Sequence, residues 1–177
     1  MKILKSRCYK VGEFTPPKFD GRKPRSLLYL DRSFGGPTTF NECIKAMTAH
    51  LENKTGDAWL MIDGRFVKKG EIHRFPNPHV NGGRGLKPKE SMQPDSGGII
   101  LLSNYQACRG WVGDFEGEPD DKFECSHMDL GEGFLLEPNS IYYANQEFVH
   151  ESLPFTEDAH RTLIRITLPS SILYKEN

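Results

Sequence analysis

The chain has 177 residues, of which 37% are hydrophobic and 27% charged, values that suit one globular domain and exclude a disordered chain or two ordinary domains. Lys plus Arg number 23 against 24 Asp plus Glu, so the formal charge is -1 and gives no general pull toward nucleic acid or an anionic membrane. The four cysteines, Cys8, Cys43, Cys108 and Cys125, form no C-x-x-C pair and are too few for a disulfide framework, so reduced thiols in a cytoplasmic compartment are expected. The first residues lack the apolar core of a signal peptide, and no apolar run approaches the ~20 residues that span a bilayer.

The opening stretch to about Lys18 is broken by Pro16-Pro17, and residues 26–30 read as a short strand. Phe34-Gly35-Gly36-Pro37 reads as a loop. A helix is predicted over residues 39–52, with Thr38 or Thr39 as its cap and Glu42 in capping-box position. Phe40, Cys43, Ile44, Met47 and Leu51 recur at helical spacing, so one face is buried and the helix should buttress a sheet.

From Asp57 the pattern changes to strands. Residues 58–62 are apolar and end at Asp63-Gly64, a two-residue hairpin signal, after which Arg65-Phe66-Val67 returns. Residues 73–97 are punctuated by Pro76, Pro78, Gly82-Gly83, Pro88 and Pro94; a stretch this long reads as a lid or binding loop, with a surface connection as the alternative. Further strands are predicted at 98–102, 110–115, 133–136, 141–144, 148–150 and 162–168. The expected fold is mainly β with one or two helices, a sandwich or jelly roll. It forms a single domain over 1–177, in which the segment of about 1–55 buttresses the barrel.

The most informative stretch runs from Asn145 to Thr167. His150 follows two apolar residues and precedes a loop, so its imidazole sits near a strand end. Arg161 and Arg165 follow on the next strand; their separation is even, so they share one face with Leu163 and Thr167. Two arginines on a buried face need an anionic partner.

This arrangement resembles the C-terminal end of Fe(II)/2-oxoglutarate oxygenases, in the taurine dioxygenase and clavaminate synthase branch or the prolyl 4-hydroxylase-like branch. The resemblance covers residues 145–167. It implies a double-stranded β-helix in which His150 is a metal ligand, Arg161 anchors 2-oxoglutarate and Arg165 is a second anion contact. It further implies that His150 and Arg161 face a common cavity from adjacent closing strands. Such sites hold Fe(II) with two histidines and one carboxylate. His79-Val80-Asn81 is the candidate for the first two ligands, with Asn81 where a carboxylate is expected. His127-Met128-Asp129 matches the pattern literally but stands only 23 residues before His150. His73, with Phe75 at the carboxylate position, is a further option.

The function so implied is hydroxylation of a small-molecule or amino-acid-like substrate, with Fe(II) and 2-oxoglutarate as cofactor and cosubstrate. The alternative is a non-catalytic, cupin-like or degenerate module that binds a small anionic ligand. A structural jelly-roll subunit is a third possibility. Among weaker signals, Gly82-Gly83-Arg84-Gly85 reads as a turn or a phosphate contact, and Cys125 to Asp129 as an isolated cluster. Trp111 reads as core. Asp114, Glu116, Glu118, Asp120 and Asp121 read as a solvated acidic loop or a receiver for a cationic substrate.

Overall fold

In a computed structural model of the chain, residues 2–29, 38–51, 56–81 and 96–169 are described. Their strands are β1 (Ile3–Ser6), β2 (Cys8–Glu13), β3 (Gly21–Tyr29), β4 (Asp57–Val67), β5 (Ser96–Ser103), β6 (Cys108–Trp111), β7 (Gly113–Glu116), β8 (Phe134–Leu135), β9 (Ser140–Ala144), β10 (Val149–Ser152) and β11 (Ala159–Pro169). One helix, α1 (Asn41–Thr48), follows a 3-10 turn at Thr38–Phe40. A six-stranded sheet has the order β2-β9-β5-β11-β4-β3; smaller sheets have the orders β10-β6-β8 and β1-β7. The paired strands run antiparallel. The chain is thus mainly β, as expected. No described helix is long and apolar enough to cross a membrane.

The two-residue period of a strand decides where the core sits. On β11 the even residues Ile164, Ile166 and Leu168 are fully buried, and they pack with Leu60, Ile62, Ile100 and Leu102. Cys43, Ile44 and Met47 of α1 cover that face, so the helix does buttress the large sheet. On the opposite, inner face, Ile99, Leu101, Tyr142 and Ala144 pack against Leu136 and Phe148, which flank β8 and β10. The six-stranded and three-stranded sheets therefore face each other, with the second core between them.

Several sequence expectations need correction. The capping box does not form: Phe40 occupies the N-cap without a side-chain hydrogen bond, and Glu42 instead pairs with Lys45 at 2.7 Å. Asp63-Gly64 makes no turn, because β4 runs through it as one strand. Gly64 is required there for a different reason: a Cβ would lie 1.8 Å from the carbonyl oxygen of Phe19, which crosses the strand. The predicted strand over 110–115 divides into β6 and β7, which join different sheets. The opening residues, for which the sequence predicts no element before residue 26, contribute β1 and β2. Finally, β10 and β11 are not neighbours in one sheet; they belong to facing sheets. The loop at 34–37, the predicted helix end at Glu52 and residues 82–95 of the candidate lid lie outside the described residues.

Candidate functional site

Strand register assembles the site. Residues directly opposite one another in an antiparallel ladder share a face. Arg161, Leu163, Arg165 and Thr167 of β11 stand opposite Arg65, Asp63, Met61 and Trp59 of β4. Leu163, Arg165 and Thr167 also stand opposite Ser103, Leu101 and Ile99 of β5. This is the inner face, so the two arginines do share a face as the sequence implies.

Across from this face, the segment carrying His79 pairs with β10. His79 and His150 exchange backbone hydrogen bonds, each amide donating to the other's carbonyl at 3.0 Å. Their rings approach to 4.5 Å between centroids, tilted by 48°. Phe75 meets the His79 ring edge-on at 5.5 Å, and Phe148 stacks on His150 at 5.3 Å. Gly110 makes room for that stack, because a Cβ there would lie 2.4 Å from Cζ of Phe148.

The tautomers follow from the hydrogen bonds. Nδ1 of His79 lies 2.7 Å from the carbonyl oxygen of Asn77, and Nδ1 of His150 lies 3.0 Å from that of Phe148. A carbonyl can only accept, so each Nδ1 carries a proton, and a neutral ring then has its lone pair on Nε2. Metal-binding imidazoles are commonly oriented in this way. Burial, and next the neighbouring His79, hold the His150 pKa well below 6.5, so its ring stays neutral.

Asn81 follows on the same segment, and its Oδ1 accepts a hydrogen bond from Nη1 of Arg165 at 3.0 Å. Direct contacts thus join four of the five candidate residues in two pairs, His79 with His150 and Asn81 with Arg165. Arg161 lies four residues earlier on β11, roughly 13 Å along the strand. It is 1% exposed; its Nε donates to Oγ of Ser103 at 3.0 Å, while its buried Nη1 has no hydrogen-bond partner among the described residues. Burial pushes its pKa down to about 10, so it keeps its charge at neutral pH. Among the described residues no carboxylate forms an ion pair with it. A buried cation in that condition is costly, and an anionic ligand would relieve the cost.

The other histidine candidates go elsewhere. Nε2 of His73 lies 3.4 Å from Oδ1 of Asp63, whose Oδ2 accepts from Nη1 of Arg74 at 2.5 Å. Phe75 is the edge-on neighbour of His79 rather than a partner of His73. His127 and Asp129 are exposed, and Nε2 of His127 donates to the carbonyl of Glu118 at 3.0 Å. The literal His-x-Asp match therefore does not join His150.

Trp111 is core, its indole N–H donating to Gly131 at 3.2 Å. The acidic loop is partly structural, since Oδ1 of Asp120 accepts from the amides of Lys122 and Glu124 at 2.9 and 2.7 Å. Gly82 to Gly85 lie outside the described residues. The residues that sequence reasoning missed are Asp63, Ser103, Arg74 and Gly110. Reading Asp63-Gly64 as a turn concealed Asp63; continuing the alternation Trp59, Met61, Asp63, Arg65 would have placed it beside the arginines. Among the described residues no three His, Cys, Asp or Glu side chains cluster as a metal site would need. The chain matches no family model, no curated protein and no solved structure.

Proposed function

We propose that the chain is an Fe(II)/2-oxoglutarate oxygenase with a double-stranded β-helix, in which His79 and His150 hold the metal and Arg161 holds the cosubstrate carboxylate. The chain order supports the fold. β4, β5, β9 and β11 lie in the large sheet, while the His79 segment, β6, β8 and β10 lie in the facing one, so the path winds between two sheets as a jelly roll does. The observation that carries the functional reading is the His79–His150 pair, with both Nδ1 protons tied to carbonyls.

The donor set fits a metal in part. Two imidazoles whose Nδ1 protons are held by carbonyls would, in their neutral form, present Nε2 to a divalent transition metal. Asn81 does not supply the carboxylate of the usual triad, and its Oδ1 is engaged by Arg165. When bound, iron and 2-oxoglutarate supply the oxidant for hydroxylating a C–H bond of a small-molecule or amino-acid-like substrate. The chain's own residues bind and orient. Phe75 and Phe148 fix the imidazole planes and exclude water, Ser103 aims the Arg161 guanidinium, and Arg161 offers charge-assisted donors to a carboxylate. The free thiols of Cys8, Cys43, Cys108 and Cys125 suit a reducing, cytoplasmic setting.

Asn81 favours a second reading, a cupin-like module that binds a small anion at Arg161 without a redox metal. Anaerobic titration with Fe(II) and then 2-oxoglutarate separates the two. A weak visible charge-transfer band that needs both additions, and is lost in His150→Gln, is the expected result. Binding of 2-oxoglutarate that is indifferent to metal, with no band, would overturn the oxygenase reading in favour of the module; no binding at all would overturn both.

A further inference from the structure

Asp63 is surrounded by more positive charge than it can neutralise. Arg22 stands directly opposite it in the β3–β4 ladder. Arg74 binds its Oδ2 at 2.5 Å. Arg65, two residues along the same face, donates from Nη2 to the carbonyls of Ile72 and His73 at 3.3 and 3.4 Å, which brings it beside the same cluster. Three guanidiniums against one carboxylate leave an excess of two positive charges, before the deeper Arg161 is counted.

The excess is built into the ladder, not scattered over a solvated surface. Arg65 and Arg161 are direct cross-strand partners, a like-charge arrangement that destabilises a sheet unless something neutral or negative lies between them. Among the described residues neither forms an ion pair with a carboxylate, and Nη1 of Arg161 is buried without a partner. Burial pushes the Asp63 carboxyl up, but the hydrogen bond with His73 and then the charges of Arg74, His73 and Arg22 hold it below its usual range, so the fields of the group overlap. Exposure falls inward, from exposed Arg22 and Arg65 to the Arg74 side chain at 17% and Arg161 at 1%. An anion entering from solvent would meet successive donors along that path.

We propose that Arg22, Arg65 and Arg74, gathered about Asp63 at one end of the inner face, form a binding site for the phosphate group of a small molecule. The chemistry selects phosphate over a single carboxylate. A phosphomonoester carries close to two negative charges at neutral pH and three acceptor oxygens, which matches the excess charge of the three arginines. The site adjoins the carboxylate position assigned to Arg161, but it requires neither metal nor 2-oxoglutarate, so a phosphate titration without them tests it independently of the oxygenase reading.

The test is a titration of the full chain with inorganic phosphate at constant ionic strength, followed by amide proton–nitrogen correlation spectra without metal or 2-oxoglutarate. Saturable shifts confined to the backbone near Arg22, Arg65 and Arg74 are expected. Arg22→Gln and Arg65→Gln should each weaken the apparent affinity about tenfold, the loss of one charge-assisted contact. Both positions are exposed, and the same spectra report whether each variant is folded. Arg109→Gln, on the other sheet, should bind as the wild type does. No saturable shift in the wild type, shifts spread over all basic surfaces, or unchanged affinity in both folded variants would overturn the proposal.

Discussion

The two faces of β11 differ more than any two regions of the molecule, although their residues alternate one by one. Ile164, Ile166 and Leu168 are sealed beneath α1 with only apolar neighbours. Arg161 and Arg165 point the other way, where Ser103 and Asn81 receive them and a pair of imidazoles stands on the facing sheet. The helix face is what a stable sheet requires. The inner face and its facing sheet hold a buried cation, two histidines in ring contact and a stacked aromatic pair that stability alone does not require. The contrast places the polar, chemistry-bearing side chains on one side of a single strand.

Substitutions on the two faces should therefore part company. The largest effect is expected from Ile164→Ala, which empties a fully buried site and should cost about 2–5 kcal/mol in chemical denaturation while leaving the affinity of the folded protein for 2-oxoglutarate unchanged. Gly110→Ala forces a methyl group against Phe148 and should cost about 1–3 kcal/mol. Unlike the first substitution it should also weaken metal binding, because the displaced ring is stacked on His150; metal titration of the folded variant checks this. Arg161→Met should move stability the opposite way, adding about 1 kcal/mol in the absence of ligand, since it removes a buried charge that has no ion-pair partner among the described residues. Its melting temperature should rise while binding is lost, a combination that no helix-face substitution should reproduce.

The smallest effect concerns pH. Burial is the first cause that lowers the pKa of both His73 and His150 below 6.5. Below that pH the unfolded chain takes up protons that the folded chain refuses, so stability is fully present above about pH 6.5 and declines as pH falls toward the folded values. The slope should be no more than about 1.4 kcal/mol per pH unit for each histidine. His73→Gln should flatten the decline in part, as read from denaturation midpoints between neutral and mildly acidic pH. An unchanged slope would mean that His73 is already protonated beside Asp63.

Much of the contrast was legible in the sequence, because alternation is a short-range signal. The even spacing of Arg161 and Arg165 and the apolar residues between them fix the two faces of β11 without any knowledge of its partners. The buried face of α1 was legible for the same reason. His79 and His150 were legible as individual candidates, but their contact depends on the His79 segment pairing with β10, which is distant in sequence, and local pattern does not encode that. Asp63 was hidden because Asp-Gly is a strong turn signal. Here the glycine answers a tertiary demand, the passage of the Phe19 carbonyl across β4, and the strand continues. Gly110 was opaque for a similar reason, since its partner Phe148 is distant in sequence.

The most direct test is calorimetric binding of 2-oxoglutarate to the oxygen-free, Fe(II)-supplied protein, comparing the wild type with Arg161→Met. Saturable binding in the wild type and none in a variant that is folded and at least as stable is the expected result. Equal binding by the two proteins, or no binding by the wild type, would contradict the assignment of the inner face of β11 as the ligand site.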